Sequence, residues 1–277
     1  MRLVLLPVLL LAAGLRVGAA APAAGTPKIP SPSADMAPRD VLRRMMEPIV
    51  NIFTNTPPGT ARAFSMRLHL MEATNQPSEL RGVPLHVYCQ PPDKLFVQFN
   101  ALGSVTTISR QGQTVWATPA SKLAPVLERA QAAKVSREDQ EPIATLRLPI
   151  PVRLFWLLFR LVKVRDGGEA IYNGQVCRRL EVDSPDKEDK GKFMRVWIRA
   201  DTFELARVDW CGPNDHAYLA IDEAELVPAL PASLFQPDAA AKGDLLNVPV
   251  NRFRPFMTLL GKEEEKRQKA MHGGAGS

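Results

Sequence analysis

Two stretches of this chain, residues 91–119 and 193–226, alternate apolar and polar side chains between closely spaced turns. Residues that alternate at a period of two stand on opposite faces of a β-strand. A chain that keeps returning to this rhythm is committed to an antiparallel meander with one apolar face, and that face has to be covered. In the first stretch, PPDKLFVQFNALGSVTTISRQGQTVWATP, strands are expected at 95–99, 105–109 and 114–117, with Trp116 just after the Gln111-Gly112-Gln113 turn. In the second, Met194, Val196 and Ile198, then Ala206, Val208 and Trp210, then Leu219 and Ile221 occupy alternate positions.

The same period recurs elsewhere. Over residues 63–71, Phe64, Met66, Leu68 and Leu70 point one way and Ser65, Arg67 and His69 the other. Residues 83–90 alternate again, and Asn173-Gly174 joins 169–172 to 175–183 as a hairpin, since both residues accept a positive φ. Helical spacing replaces the strand period in three places. Over 40–53, Val41, Met45, Ile49 and Ile52 recur on one side, with Asp40 as the expected cap and Pro48 as a kink. Over 121–133, Leu123, Val126, Leu127 and Ala130 make a face. Residues 146–164, LRLPIPVRLFWLLFRLVKV, are the most apolar stretch beyond the N-terminus; Pro149 and Pro151 bar a helix before Val152, and about three turns are expected after it. Two readings of that helix stay open: a buried core helix, or a lid over an apolar cavity.

A sheet of about ten strands must curl. Curled around a helical plug, it becomes an open barrel with an apolar interior. The expected fold class is therefore α+β: a curved antiparallel sheet forming an open half-barrel, with an N-terminal helix and inserted lid or plug helices.

The first residues read as an address. Arg2, an apolar run over 3–15 and the small residues Gly18-Ala19-Ala20-Ala21 make a secretory signal peptide, with cleavage expected after Ala19 or Ala20. The expected organisation is a signal peptide at 1–20, a flexible leader at 21–35, a half-barrel domain at 36–240, and a largely disordered C-terminal extension at 241–277. The three cysteines are too few for a disulfide scaffold. Cys89 falls on an apolar parity; Cys177 and Cys211 fall on polar ones, about 10 Å apart if they flank the 193–199 strand, so free thiols are expected. The net charge of +6 is spread among alternating acidic residues. It forms no basic stripe of the kind that binds nucleic acid.

Catalytic signatures are missing from the sequence: it has no HExxH, CxxC or GxSxG. The nearest cluster, Asp215, His216, Asp222 and Glu223, reads as a solvated turn and strand face. Glu181, Asp183, Asp186, Glu188 and Asp189 read as a charged segment rather than a metal site. No catalytic residue, metal ligand or cofactor is assigned, and the chain is read as a non-enzyme.

The order of elements resembles the periplasmic outer-membrane lipoprotein carrier family, with the LolA/LolB-like fold, over residues 41–237. Gln90-Pro91-Pro92-Asp93-Lys94-Leu95 is similar to the family's lysine/arginine-proline-aspartate turn before the third strand. The run Ile108-Ser109-Arg110-Gln111-Gly112-Gln113-Thr114-Val115-Trp116, followed by Pro119, resembles its isoleucine-turn-glycine-tryptophan hairpin. Val196-Trp197-Ile198 with Asp201 and Arg207 resembles its leucine-tryptophan-isoleucine-aspartate strand and the return strand. The run from Pro231 to Phe235 resembles its closing leucine-proline-x-x-x-phenylalanine. The family's arginine in the turn before the third strand, which holds the unloaded state closed, is replaced here by Gln90 or Pro91.

The resemblance implies a periplasmic carrier, cleaved from its signal peptide, that binds acyl chains of a lipoprotein or lipid and shuttles them towards the outer membrane. The expected partners are an inner-membrane release transporter and an outer-membrane acceptor, with the carrier itself a monomer. The wall of its cavity is expected to be Leu68, Leu70, Leu85, Val87, Val97, Phe99, Val115, Val196, Ile198, Val208, Trp210, Leu219 and Ile221. Phe155, Leu158 and Phe159 are expected to form the lid. The alternative is a module of the same fold that senses a lipid or a partner protein.

Overall fold

The computed structural model describes residues 32–33, 35–53, 62–74, 76–133, 152–183, 191–213, 216–238 and 241–273. The elements run in the order α1 (Pro38–Ile52), β1 (Ala63–Ala73), β2 (Pro84–Gln90), β3 (Lys94–Ala101), β4 (Ser104–Gln111), β5 (Thr114–Thr118) and α2 (Ala120–Ala132). They continue with α3 (Val152–Phe159), β6 (Val164–Tyr172), β7 (Gln175–Asp183), β8 (Phe193–Arg199), β9 (Leu205–Cys211), β10 (His216–Val227), β11 (Leu246–Asn247) and α4 (Val250–Gly273). All eleven strands belong to one sheet, ordered β11-β5-β4-β3-β2-β1-β10-β9-β8-β7-β6. Each neighbouring pair is antiparallel. The sheet does not close: β6 and β11 are its two edges. This is the open half-barrel expected from the strand rhythm.

The register places the apolar parities of successive strands on one face. Ala224, Met66, Val87, Val97, Ile108, Ala117 and Leu246 stand opposite one another in turn from β10 to β11. Leu180, Val196, Val208, Leu219 and Leu70 make a second such row from β7 to β1. Bulges between Arg67 and Leu68, and between Leu70 and Glu72, shift the β1–β10 register. A bulge adds local twist and helps a long sheet to bend.

Helices cover this face in two groups. α1 buries Val41, Leu42, Met45, Met46, Ile49, Val50 and Ile52. They pack with the inner side chains of β1, β2 and β7–β10 and with Phe159 of α3. α2 and α4 cover the other part, where Leu123, Val126, Leu127, Phe256 and Leu260 pack on Ile108, Val115 and Ala117.

Several sequence expectations shift. α1 starts at Pro38, not after a capping Asp40; Ala37 precedes it and makes no side-chain cap. Proline's fixed φ suits the first helical position and needs no cap donor of its own. α3 spans eight residues, shorter than expected, because the chain turns at Arg160 to enter β6 at Val164. β6 begins earlier than its alternation shows, since Gly167 and Gly168 lie in a register shift between Asp166 and Glu169.

The largest correction is at the C-terminus. Residues 250–273, expected to be mostly disordered, form α4. Phe256 and Leu260, one turn apart, bury against α2, and the charged run that suggested disorder is paired instead. Arg129 of α2 meets Glu263 at 2.9 Å, and Glu264 accepts a 2.8 Å hydrogen bond from the backbone N–H of Leu102. Leu102 sits at φ 51° in the β3–β4 turn, a conformation that disfavours a branched side chain. Lys122 of α2 donates to its carbonyl at 3.2 Å, so both helices help to hold the turn.

Candidate functional site

The candidate site is the concave apolar face together with its helical cover. Leu68, Leu85, Val87, Val196, Ile198, Val208 and Ile221 belong to the cluster beneath α1, with Val97, Trp210 and Leu219 packed at its margin. Leu70 is buried beside the β1–β10 bulge. Val115 and Phe99 share the same sheet face but lie in the second cluster, beneath α2 and α4. The expected wall is thus one face divided between two covers. The concavity beneath the first cover is filled by α1: Val41 and Leu42 are 0% exposed.

α3 lies against the end of α1. Phe155, Trp156 and Phe159 turn inward and meet edge to face or stacked, with ring centroids 5.0, 5.5 and 6.4 Å apart. Arg43 of α1 places its guanidinium 5.3 Å from the Trp156 ring, and Arg39 donates to the carbonyl of Val162 at 3.0 Å. Phe159 is in the buried core and Phe155 packs against it; the Leu158 side chain lies outside the described residues. The helix is therefore not buried all round: its inner side is core, while Leu154, Leu157 and, just beyond its end, Leu161 are exposed.

A residue not singled out from the sequence ties the cover down. Arg178 sits on β7 at the parity of Leu180 and Val182, so its side chain enters the apolar face, where it is buried. Its guanidinium donates to the carbonyls of Ser33 and, at 2.7 Å, Met36, just before α1. It also pairs with Asp166 of β6 at 2.7 Å. The Asp166 carboxyl is held below its ordinary value, chiefly by this hydrogen bond. The sequence does carry a signal for it: an arginine at a position where the strand's alternation calls for an apolar residue.

The polar and aromatic residues behind the family resemblance lie on the opposite, convex face, while Ile108, Val115, Val196 and Ile198 face the covers. Ser109 Oγ and Trp116 Nε1 each donate to the carbonyl of Phe235 at 3.0 Å. This fixes the closing segment over β4 and β5. Gln90 accepts a 2.9 Å hydrogen bond from the N–H of Leu230. Trp197 donates to buried Asp209 at 2.9 Å, and the Arg207 guanidinium lies 4.8, 5.1 and 5.7 Å from the rings of Tyr218, Trp197 and Tyr172.

The acidic and histidine residues do not converge. His216 lies 3.0 Å from Glu72, His69 lies 2.8 Å from Asp222, and Arg67 lies 3.5 Å from Glu223. Glu181 and Asp183 pair with Arg165 and Arg195. Asp215, Asp186, Glu188 and Asp189 fall outside the described residues. Among the described residues no three His, Cys, Asp or Glu side chains are grouped to hold a metal.

All three cysteines are free. Cys177 faces Arg199 and Cys211 faces Phe193, at opposite ends of β8, so the two are too far apart to bridge. Burial pushes the Cys89 thiol up to about 12 and the Cys177 thiol up to about 11, as expected of packing residues rather than nucleophiles. The expected signal peptide falls outside the described residues, and none of the described helices is long and apolar enough to cross a membrane.

No family profile and no curated protein sequence matches the chain. Among solved structures, it is similar to lipoprotein LppX of Mycobacterium tuberculosis, at 12% identity over 68% of this chain and 94% of that one, with a TM-score of 0.34. It is also similar to a LolA superfamily protein from Nitrosomonas europaea, at 12% identity over 73% of this chain and 99% of that one, with a TM-score of 0.28. A third is the MucA/MucB complex of Pseudomonas aeruginosa, at 11% identity over 73% of this chain and 61% of the matched one, with a TM-score of 0.36. No residue role is carried over from any of them.

Proposed function

We propose that this chain is a non-enzymatic periplasmic carrier that takes acyl chains of a lipid or lipoprotein onto the concave face of its sheet and moves them towards the outer membrane. The observation that carries this reading is one apolar face running across the sheet and covered by helices, with α1 in the concavity where a ligand would lie. In the empty state α1 is the occupant, and loading displaces it.

The energies are of the same order. Each apolar side chain of α1 contributes about 1.5–3 kcal/mol when buried, so its buried side chains together hold the helix by about 10–20 kcal/mol. An acyl chain recovers about 0.8 kcal/mol per buried methylene, or roughly 10 kcal/mol for a long chain. A single-chain fatty acid therefore reaches only the lower end of what holds α1, while a two-chain lipid, at roughly 20 kcal/mol, competes with it.

Leu68, Leu85, Val87, Val196, Ile198, Val208 and Ile221 form the wall that α1 would vacate, and Phe155 and Phe159 form the lid. Arg178 restrains the cover from β7. A carrier of this kind requires a donor at the inner membrane and an acceptor at the outer one.

The test is to purify the mature protein, extract it and look for lipid or acylated peptide by mass spectrometry, then titrate it with a fluorescent acyl probe. Bound lipid and saturable uptake, weakened by Phe159→Asp, are expected. A lipid-free protein that takes up no probe would overturn the reading. A second reading, a module that senses lipid or a partner protein, is favoured by the Arg207, Trp197 and Tyr218 cluster on the convex face, residue types that often anchor protein interfaces. Transfer of bound lipid to an acceptor membrane separates the two, since a sensor retains its ligand.

A further inference from the structure

We propose that the outer side of α3, with the turn after it, is a docking surface for an anionic lipid bilayer. The inward side of this helix is used in packing. Its outward side presents Leu154, Leu157 and Leu161, which are 41, 56 and 78% exposed. Spacings of three and four residues set them along one side of the helix and its continuation. Single exposed leucines are ordinary on a soluble protein; a ridge of three is a patch that marks an interaction site.

The charge around the ridge decides what covers it. Residues 152–165 contain Arg153, Arg160, Lys163 and Arg165 and no aspartate or glutamate. Arg165 is committed to Glu181 and Asp183. Arg153, Arg160 and Lys163 are exposed and form no ion pair with a described residue. On the neighbouring helix, Arg39 and Arg43 are anchored to Val162 and Trp156, which brings two more cations to the same rim.

Leucines flanked by cations that have no described ion-pair partner fit the boundary between acyl chains and phosphate head groups, with the leucines below the phosphates and the arginines level with them. The ridge is already folded, so docking carries little ordering cost. Because it is short, it gives reversible contact rather than a permanent anchor. This inference does not depend on whether the concave face takes lipid, since the residues involved face away from it.

Flotation of the mature protein with vesicles tests it, comparing phosphatidylcholine alone with phosphatidylcholine containing about 30% phosphatidylglycerol. The protein is expected to float with the anionic vesicles, to stay behind with the neutral ones, and to be released by high salt. Leu154→Asp with Leu157→Asp, and separately Arg153→Glu with Arg160→Glu, are each expected to weaken binding roughly tenfold or more. Their unfolding curves should match the wild type because the side chains are exposed, and their acyl-probe uptake should be unchanged. Absence of flotation, equal flotation with both vesicle types, or full binding by the Asp variant would overturn the proposal. A dimer in sedimentation velocity that Leu157→Asp dissociates would assign the ridge to a second copy of the chain, and would overturn it too.

Discussion

Arg178 combines a charged end with a position that faces the apolar interior, and its partners belong to two other segments of chain: the approach to α1 and β6. Removing it takes one donor from the Ser33 carbonyl, which also accepts from the Met36 N–H, and the charged donor from the Met36 carbonyl. Arg178→Met is expected to cost about 1–3 kcal/mol of stability, the usual range for hydrogen bonds to a charged group. It should also speed acyl-probe uptake, because the cover loses its restraint; unchanged uptake would separate Arg178 from gating. The pH dependence follows from Asp166. Its carboxyl is depressed below the ordinary 3.8, so the pair adds stability above that value and loses it as pH falls through the lower folded value. As pH falls through and below the ordinary carboxylate range, the melting temperature of the wild type should fall further than that of Arg178→Met. Periodicity shows that position 178 faces inward. It does not show the partners, of which the Ser33 and Met36 carbonyls come from a segment more than a hundred residues away.

At the scale of elements, α4 shows where reading the chain locally runs out. Its Phe253, Phe256, Met257 and Leu260 have helical spacing, but Pro255 interrupts them and a charged run follows. Those features favour an unstructured tail until α2 is present as a surface to pack on. Stability then comes from the tertiary contact rather than from propensity. Phe256 is fully buried at the centre of that contact, so Phe256→Ala is expected to destabilise the protein by about 3–5 kcal/mol in chemical denaturation. A loss below about 1 kcal/mol would mean that α4 is not part of the folded core. The strands were far more legible. Asn173 and Gly174, at φ 48° and 75°, make the hairpin that their identities require, and the alternation in β1 and β8 places the inner side chains on the correct face, whereas in β9 a register shift sets Leu205 rather than Ala206 opposite Ile198. Helix ends and strand starts near glycine and proline were less so, as α1 and β6 show.

At the scale of the whole molecule, the face was legible and its occupancy was not. Alternation assigns Leu68, Val87, Val196 and Ile221 to one side of the sheet; whether a helix or a ligand fills the space in front of them depends on which binds better. Displacement predicts a particular exchange pattern. With a two-chain lipid added, amides of α1 should lose protection from hydrogen exchange while those of β1, β2 and β8–β10 keep it. A uniform gain of protection, with α1 included, would mean that any ligand binds without moving the helix. The sheet's open ends have a further consequence. β11 is two residues long, too short a ladder to recruit another strand. β6 is longer but breaks register around Gly167 and Gly168, with Arg165, Asp166 and Glu169 on either side. A strand that is kinked and charged makes a poor template for edge-to-edge growth. Neither end can therefore seed a ribbon of stacked copies, and the protein can accumulate to high concentration without its sheets fusing into fibres.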